Sequence, residues 1–177
     1  MIDFNPVIED PPIEDREYPS SMAPLIISSN NEKLIGTFFL TSGIGPNPTA
    51  LLLHGFPGNE VNYDIAHSIR RFGFNVMIFH YRGSWGSGGS FSFENSLEDV
   101  AFAIEFLNSE TAYKNYRVDR EKIILIGHSF GGFAALLNSI KIEKIKNIAS
   151  LAGFNFGHFS HFTEQDSNIK EAMMAGL

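Results

Sequence analysis

Lys122-Ile123-Ile124-Leu125-Ile126-Gly127-His128-Ser129-Phe130-Gly131-Gly132 is the stretch that decides how the rest of the chain is read. The run Ile123–Ile126, rich in β-branched residues, reads as a strand buried on both faces. It passes into Gly127-His128-Ser129-Phe130-Gly131, a G-x-S-x-G pattern that sets a serine on a sharp turn between strand and helix. Glycines flank such a serine because a Cβ there would collide with neighbouring backbone. From Phe130 to Ile140 the apolar residues fall at 130, 133, 134, 137 and 140, which is helical spacing. Ser129 therefore stands at a helix N-terminus, where free N–H groups and the helix dipole favour negative charge. A structural serine in a tight turn is the plainer alternative. The strand before the turn and the amphipathic helix after it favour a nucleophile.

Working back from this stretch, Phe74–His80 reads as a buried strand that runs into Tyr81-Arg82-Gly83-Ser84-Trp85-Gly86-Ser87-Gly88-Gly89. Thr49–Leu53 reads as another, followed by His54-Gly55-Phe56-Pro57-Gly58. A helix is expected from about Asn59 to Phe72, with Val61, Ile65, Ile69 and Phe72 on one face and Gly73 as its stop. A second is expected from about Ser96 to Asn108, with Leu97, Val100, Ala101, Ile104 and Leu107 as its stripe and Ser96 with Asp99 as a capping box. Pro24–Ser28 and Lys33–Leu40, joined by Ser29-Asn30-Asn31-Glu32, form an antiparallel hairpin. Lys144 to Leu151 is a sixth strand. Strands alternating with helices after an opening hairpin give an α/β fold: a mainly parallel sheet with helices on both faces. In such sheets ligands bind beyond the carboxyl ends of the strands. All three glycine-rich stretches fall there.

Residues 1–22 hold Pro6, Pro11, Pro12 and Pro19 among several acids, which prevents helix or central strand and predicts an extended arm. Residues 23–155 are expected to form the core. Residues 156–177 read as the start of a lid or connecting segment. The chain of 177 residues carries a net charge of −7, which disfavours nucleic acid and anionic membranes as partners. It has no cysteine, so neither disulfides nor a thiolate metal site arise. No signal peptide and no apolar run of the roughly 20 residues that span a bilayer is visible. A cytoplasmic, soluble protein is the expectation. Arg82–Gly89 lacks the spacing of phosphate-binding loops, and no metal-ligand cluster is present. No cofactor is expected.

A serine hydroxyl needs a base to take its proton, and the oxyanion formed on attack needs preorganised donors. The N–H groups of Phe130 and Phe56 are placed to supply them, each worth roughly 3–4 kcal/mol of transition-state stabilisation. The HGFPG, YRGSWGSGG and GHSFGG motifs, in this order, make residues 24–155 similar to the N-terminal part of an α/β-hydrolase-fold serine hydrolase, in the broad group of esterases, serine aminopeptidases and prolyl-oligopeptidase-like enzymes. The resemblance implies Ser129 as nucleophile, Phe56 and Phe130 as the oxyanion hole, and a small ester, amide or peptide as substrate. Arg82 would be structural, pairing with Asp99. Trp85 and the Phe56 ring would line the substrate pocket or pack in the core.

In that fold the acid and then the histidine follow the serine, and only 48 residues come after Ser129. The acids there are Glu143, Glu164, Asp166 and Glu171, and the histidines are His158 and His161. No histidine follows Glu164 or Asp166. His158 and His161 read as part of a lid or surface loop. The last strands, the acid and the base are accordingly expected beyond residue 177. A non-catalytic binding module or inactive fragment is the alternative. Substrate identity and oligomeric state are left open by the sequence.

Overall fold

The computed structural model describes residues 3–56, 61–145 and 147–158, together with residues 161, 168 and 171. The strands are β1 (Ser21–Ser29), β2 (Glu32–Leu40), β3 (Asn47–Leu53), β4 (Asn75–Phe79), β5 (Val118–His128) and β6 (Asn147–Leu151); the helices are α1 (Tyr63–Arg71), α2 (Phe93–Leu107), α3 (Glu110–Tyr116) and α4 (Phe130–Lys141). One six-stranded sheet has the order β1-β2-β4-β3-β5-β6. The β1–β2 and β2–β4 pairs are antiparallel, and the β3–β4, β3–β5 and β5–β6 pairs are parallel. This is the α/β-hydrolase arrangement expected, entered through an antiparallel hairpin. The hairpin turns on Asn30 and Asn31, whose φ values of 46° and 67° are those of a two-residue type I′ turn.

Alternation along the strands divides the apolar side chains between two cores. Leu51, Leu53, Met77, Phe79, Ile123 and Leu125 point to the face covered by α2, α3 and α4. Ala50, Leu52, Val76 and Ile78 point to the opposite face, under α1. β5 departs from the expectation of burial on both faces. Ile124 and Ile126 are only half-buried, because α1 lies chiefly over β2 and β4.

Helix boundaries bring further corrections. α1 starts at Tyr63, with Asn62 in the left-handed region before it; the expected start at residue 59 lies outside the described residues. α2 begins at Phe93, a turn before the expected position, because the N-cap is Ser92, whose hydroxyl accepts from the Asn95 N–H at 3.0 Å. The Ser96–Asp99 capping box does not exist. Ser96 is fully buried and donates back to the Ser92 carbonyl at 2.8 Å, while Asp99 is committed elsewhere. α3 was not expected; it is seven residues long with one buried side chain, Ala112, too short for an apolar stripe. β6 begins at Asn147 rather than Lys144, because residues 143 and 144 form a turn.

Residues of the N-terminal segment bond to the domain. Asp10 receives hydrogen bonds from Arg70 and Arg71 of α1, and Asp15 N–H donates to Ser42 Oγ at 2.7 Å. Among the described residues no helix is long and apolar enough to cross a membrane.

Candidate active site

Strand order fixes the site. The chain passes from β3 to β4 on one side and then crosses to β5 on the other, so β3 lies between them and the direction of winding reverses. Leu53 is in register with Gly127, which puts His54-Gly55 and His128-Ser129 at adjacent strand ends. A Cβ built on Gly55 would come within 3.1 Å of Ser129 Cβ. The HGFPG loop thus abuts the serine through a residue with no side chain.

Ser129 has φ 53° and ψ −117° and is the N-cap of α4. This is left-handed backbone that an L-residue occupies at a cost of order 1–3 kcal/mol, held only where the surroundings over-determine it. They do so here. Ser129 N–H donates to the Leu151 carbonyl at 2.9 Å, and the Ser129 carbonyl accepts from Gly132 and Phe154 N–H at 3.0 and 3.2 Å. A Cβ on Gly127 would overlap the Gly131 carbonyl, and one on Gly131 would overlap the Leu53 carbonyl. The glycines thus let the start of α4 close down on β5 and β3. Ser129 is half-buried, and among the described residues its Oγ has no hydrogen-bond partner. Neither Phe56 nor Phe130 N–H has a partner among them.

Beside this turn burial lowers the pKa of two histidines, His54 and His80. His54 is 2% exposed, and burial lowers its pKa to about 4, opposed by a hydrogen bond with the Gly55 carbonyl. That carbonyl can only accept, so His54 Nδ1 carries the proton in the 2.8 Å contact; Nε2 is buried with no partner among the described residues. Burial also lowers the pKa of His80. Tyr81 donates its hydroxyl to the His54 carbonyl at 3.1 Å and ties the β4 end to the β3 end; burial, with Asp99 adding, raises its pKa. Sequence reasoning missed Tyr81 as a tie, because nothing in its spacing reveals which strand lies beside it.

Arg82 pairs with Asp99, as expected. Its Nε is 2.7 Å from Asp99 Oδ1, its N–H donates to Asp99 Oδ2 at 2.8 Å, and its Nη2 is 2.7 Å from Glu98 Oε2. Burial alone would lower the Arg82 pKa, but the two carboxylates more than offset it and raise it. Ser29 of β1 donates to the same Asp99 oxygen at 2.7 Å. The glycine-rich loop after β4 is thereby pinned to α2 and to the hairpin.

Trp85 stands on this loop at φ 50°, 58% exposed, with its ring 6.1 Å from that of His80. The Phe56 ring packs on Phe91 and Phe93 with centroids 5.0 and 5.3 Å apart. Glu143 lies before β6, at the end of the parallel β5–β6 pair opposite Ser129. His158 is exposed, its N–H donating to Asn155 Oδ1 at 2.9 Å, and His161 is exposed; Glu164 and Asp166 lie outside the described residues. Among the described residues no group of three or more His, Asp or Glu side chains is placed to hold a metal.

A family model described as the alpha/beta hydrolase family matches residues 50–163. This chain belongs to the alpha/beta hydrolase family. Its relatives include mouse epoxide hydrolase 4, 32% identical over 129 residues, which cover 71% of this chain and 33% of that protein. Among solved structures, the alpha/beta hydrolase GrgF of Penicillium superposes with a TM-score of 0.65 at 20% identity, over 75% of this chain and 46% of that one. The Pyrococcus furiosus esterase PF2001 does so with a TM-score of 0.60 at 18% identity, over 74% and 50%. This alpha/beta hydrolase chain spans between a third and about two fifths of the length of the curated relatives it matches.

Proposed function

We propose that the natural protein is a serine hydrolase that cleaves a small ester, amide or peptide bond through an acyl-serine intermediate. The observation that carries this reading is Ser129 itself: a serine in strained left-handed backbone at the head of α4, with two N–H groups, those of Phe56 and Phe130, that have no partner among the described residues, on the loops that meet there. A histidine imidazole takes the Ser129 proton as Oγ bonds to the carbonyl carbon, and returns it to the departing alcohol or amine. Water then repeats the sequence and frees the acid. The Phe56 and Phe130 N–H groups stabilise the oxyanion, Trp85 contacts the substrate, and the acid and histidine come from residues beyond 177. Residues 23–155 are the catalytic core, and residues 156–177 begin a lid or connecting segment.

Kinship with an epoxide hydrolase raises a second chemistry, which the serine disfavours. Epoxide opening by a hydroxyl would leave an ether on the enzyme, which water does not readily cleave, whereas an acyl-serine ester is a competent intermediate. A non-catalytic binding module is favoured by one observation, the absence of a partner for Ser129 Oγ among the described residues.

Hydrolysis of 4-nitrophenyl acetate and butyrate by the full-length protein separates these readings. The expected result is turnover that falls by at least about a thousandfold in Ser129→Ala. A folded full-length protein with no turnover supports the binding module, and turnover untouched by Ser129→Ala refutes the nucleophile.

A further inference from the structure

Phenylalanine rings from separate segments pack together, and two of those segments touch Ser129 through their backbone. Phe56 comes from the loop after β3, Phe91 and Phe93 from the entry to α2, Phe133 from α4, and Phe154 and Phe156 from the segment after β6. Ring centroids are 5.3 Å apart for Phe56–Phe93, 4.6 Å for Phe93–Phe156, 5.1 Å for Phe133–Phe156 and 4.8 Å for Phe154–Phe156. The cluster rests on Phe130, which is 1% exposed and lies 5.2 and 5.3 Å from Phe93 and Phe156.

The cluster is tied to the serine at both ends. Phe56 follows Gly55, the residue that abuts Ser129, and Phe154 N–H donates to the Ser129 carbonyl. These rings pack against the core yet are half-buried, and Phe154 is 38% exposed, so part of their apolar surface faces outward. Edges and faces left open in such a cluster favour another ring over an aliphatic group of equal size, because the ring quadrupoles add to the gain from burial.

We propose that the acyl group transferred to Ser129 carries an aromatic ring, which packs on Phe56, Phe93 and Phe156. This rests on the serine-nucleophile reading above. In the step, Ser129 Oγ bonds to the acyl carbon, and the ester C–O bond breaks. The alcohol leaves with the proton that the histidine base took from Ser129, and water then releases the aryl-bearing acid.

The test compares kcat/KM of the full-length protein for the 4-methylumbelliferyl esters of 3-phenylpropanoic, 3-cyclohexylpropanoic and nonanoic acids, which share a leaving group and an acyl carbon count. The phenyl ester is expected to be preferred over the cyclohexyl ester by roughly three- to tenfold. Phe93→Leu and Phe156→Leu should each move that ratio towards one. The ratio is taken within one protein sample, so a partly unfolded variant still reports. Equal cleavage of the phenyl and cyclohexyl esters, a preference for the nonanoate, or a ratio that neither variant moves overturns the proposal. If no ester is cleaved and a small fluorophosphonate leaves Ser129 unlabelled, the nucleophile reading itself has failed, and this inference with it.

Discussion

Ser129 combines two features that mutation can separate: the hydroxyl proposed as nucleophile and a strained backbone. With φ at 53° and ψ at −117°, a glycine at this position relieves the strain, whereas an alanine keeps it. Ser129→Gly is therefore expected to be more stable than Ser129→Ala by about 1 kcal/mol or more, despite the entropy glycine loses on folding. Urea denaturation of the two variants checks this, and equal midpoints would mean that the turn is not strained. His54 makes a prediction with a definite sign. Folded, it gains a proton only near pH 4; unfolded, it does so near its ordinary 6.5. Between those values the unfolded chain binds more protons, so stability is fully present above pH 6.5 and is lost as pH falls towards 4, by about 3 kcal/mol in all. Protonation would place a charged N–H at Nε2, a buried atom without an acceptor among the described residues. In His54→Gln the decline in stability measured between pH 6.5 and 4 should be shallower by that amount; an unchanged decline would show that other groups carry it.

Helix α2 does more than cover the sheet. Its Asp99, fully buried, gathers Ser29 of β1 and both the backbone and side chain of Arg82. Asp99→Ala would leave a mostly buried guanidinium with Glu98 as its one ionic partner among the described residues, and losses of about 3–5 kcal/mol are usual when one member of a buried pair is removed. Equilibrium denaturation tests this; a loss below about 1 kcal/mol would mean that Glu98 and solvent suffice. The Arg82–Asp99 pair was what the family resemblance implied, and the structure forms it. The cap of α2 was not legible in the sequence. Ser96-x-x-Asp99 matches a capping box in spacing, yet both residues face inward, and the true N-cap, Ser92, is followed three residues later by Asn95 rather than Glu or Gln. α3 escaped because an amphipathic period needs more than two turns to show; its readable signal was Ser109 before Glu110, a cap followed by a first-turn acid. β5 misled differently. Its β-branched run announced a strand correctly, but how fully Ile124 and Ile126 are covered depends on where α1 crosses the sheet, which no local pattern encodes.

At the scale of the whole molecule, the reversal of winding around β3 is what turns three separate loops into one site. The loop after β3, the loop after β4 and the turn after β5 come from distant parts of the chain, yet they emerge side by side because the strand order is β4-β3-β5. That convergence was readable from the order of elements: glycine-rich stretches at successive carboxyl ends of parallel strands must share an edge. The contact itself, Gly55 against Ser129, follows from the Leu53–Gly127 register, as does the burial that neutralises His54. The phenylalanine cluster was less legible, since Phe91, Phe93 and Phe156 belong to no motif and meet only through the packing of α2, α4 and the segment after β6. The most direct test of the central claim is an intact-mass and peptide-mapping measurement on the full-length protein after exposure to a fluorophosphonate. One phosphonyl adduct per chain, located on Ser129 and absent from Ser129→Ala, is the predicted result. A folded, unmodified protein, or an adduct on another residue, would contradict it.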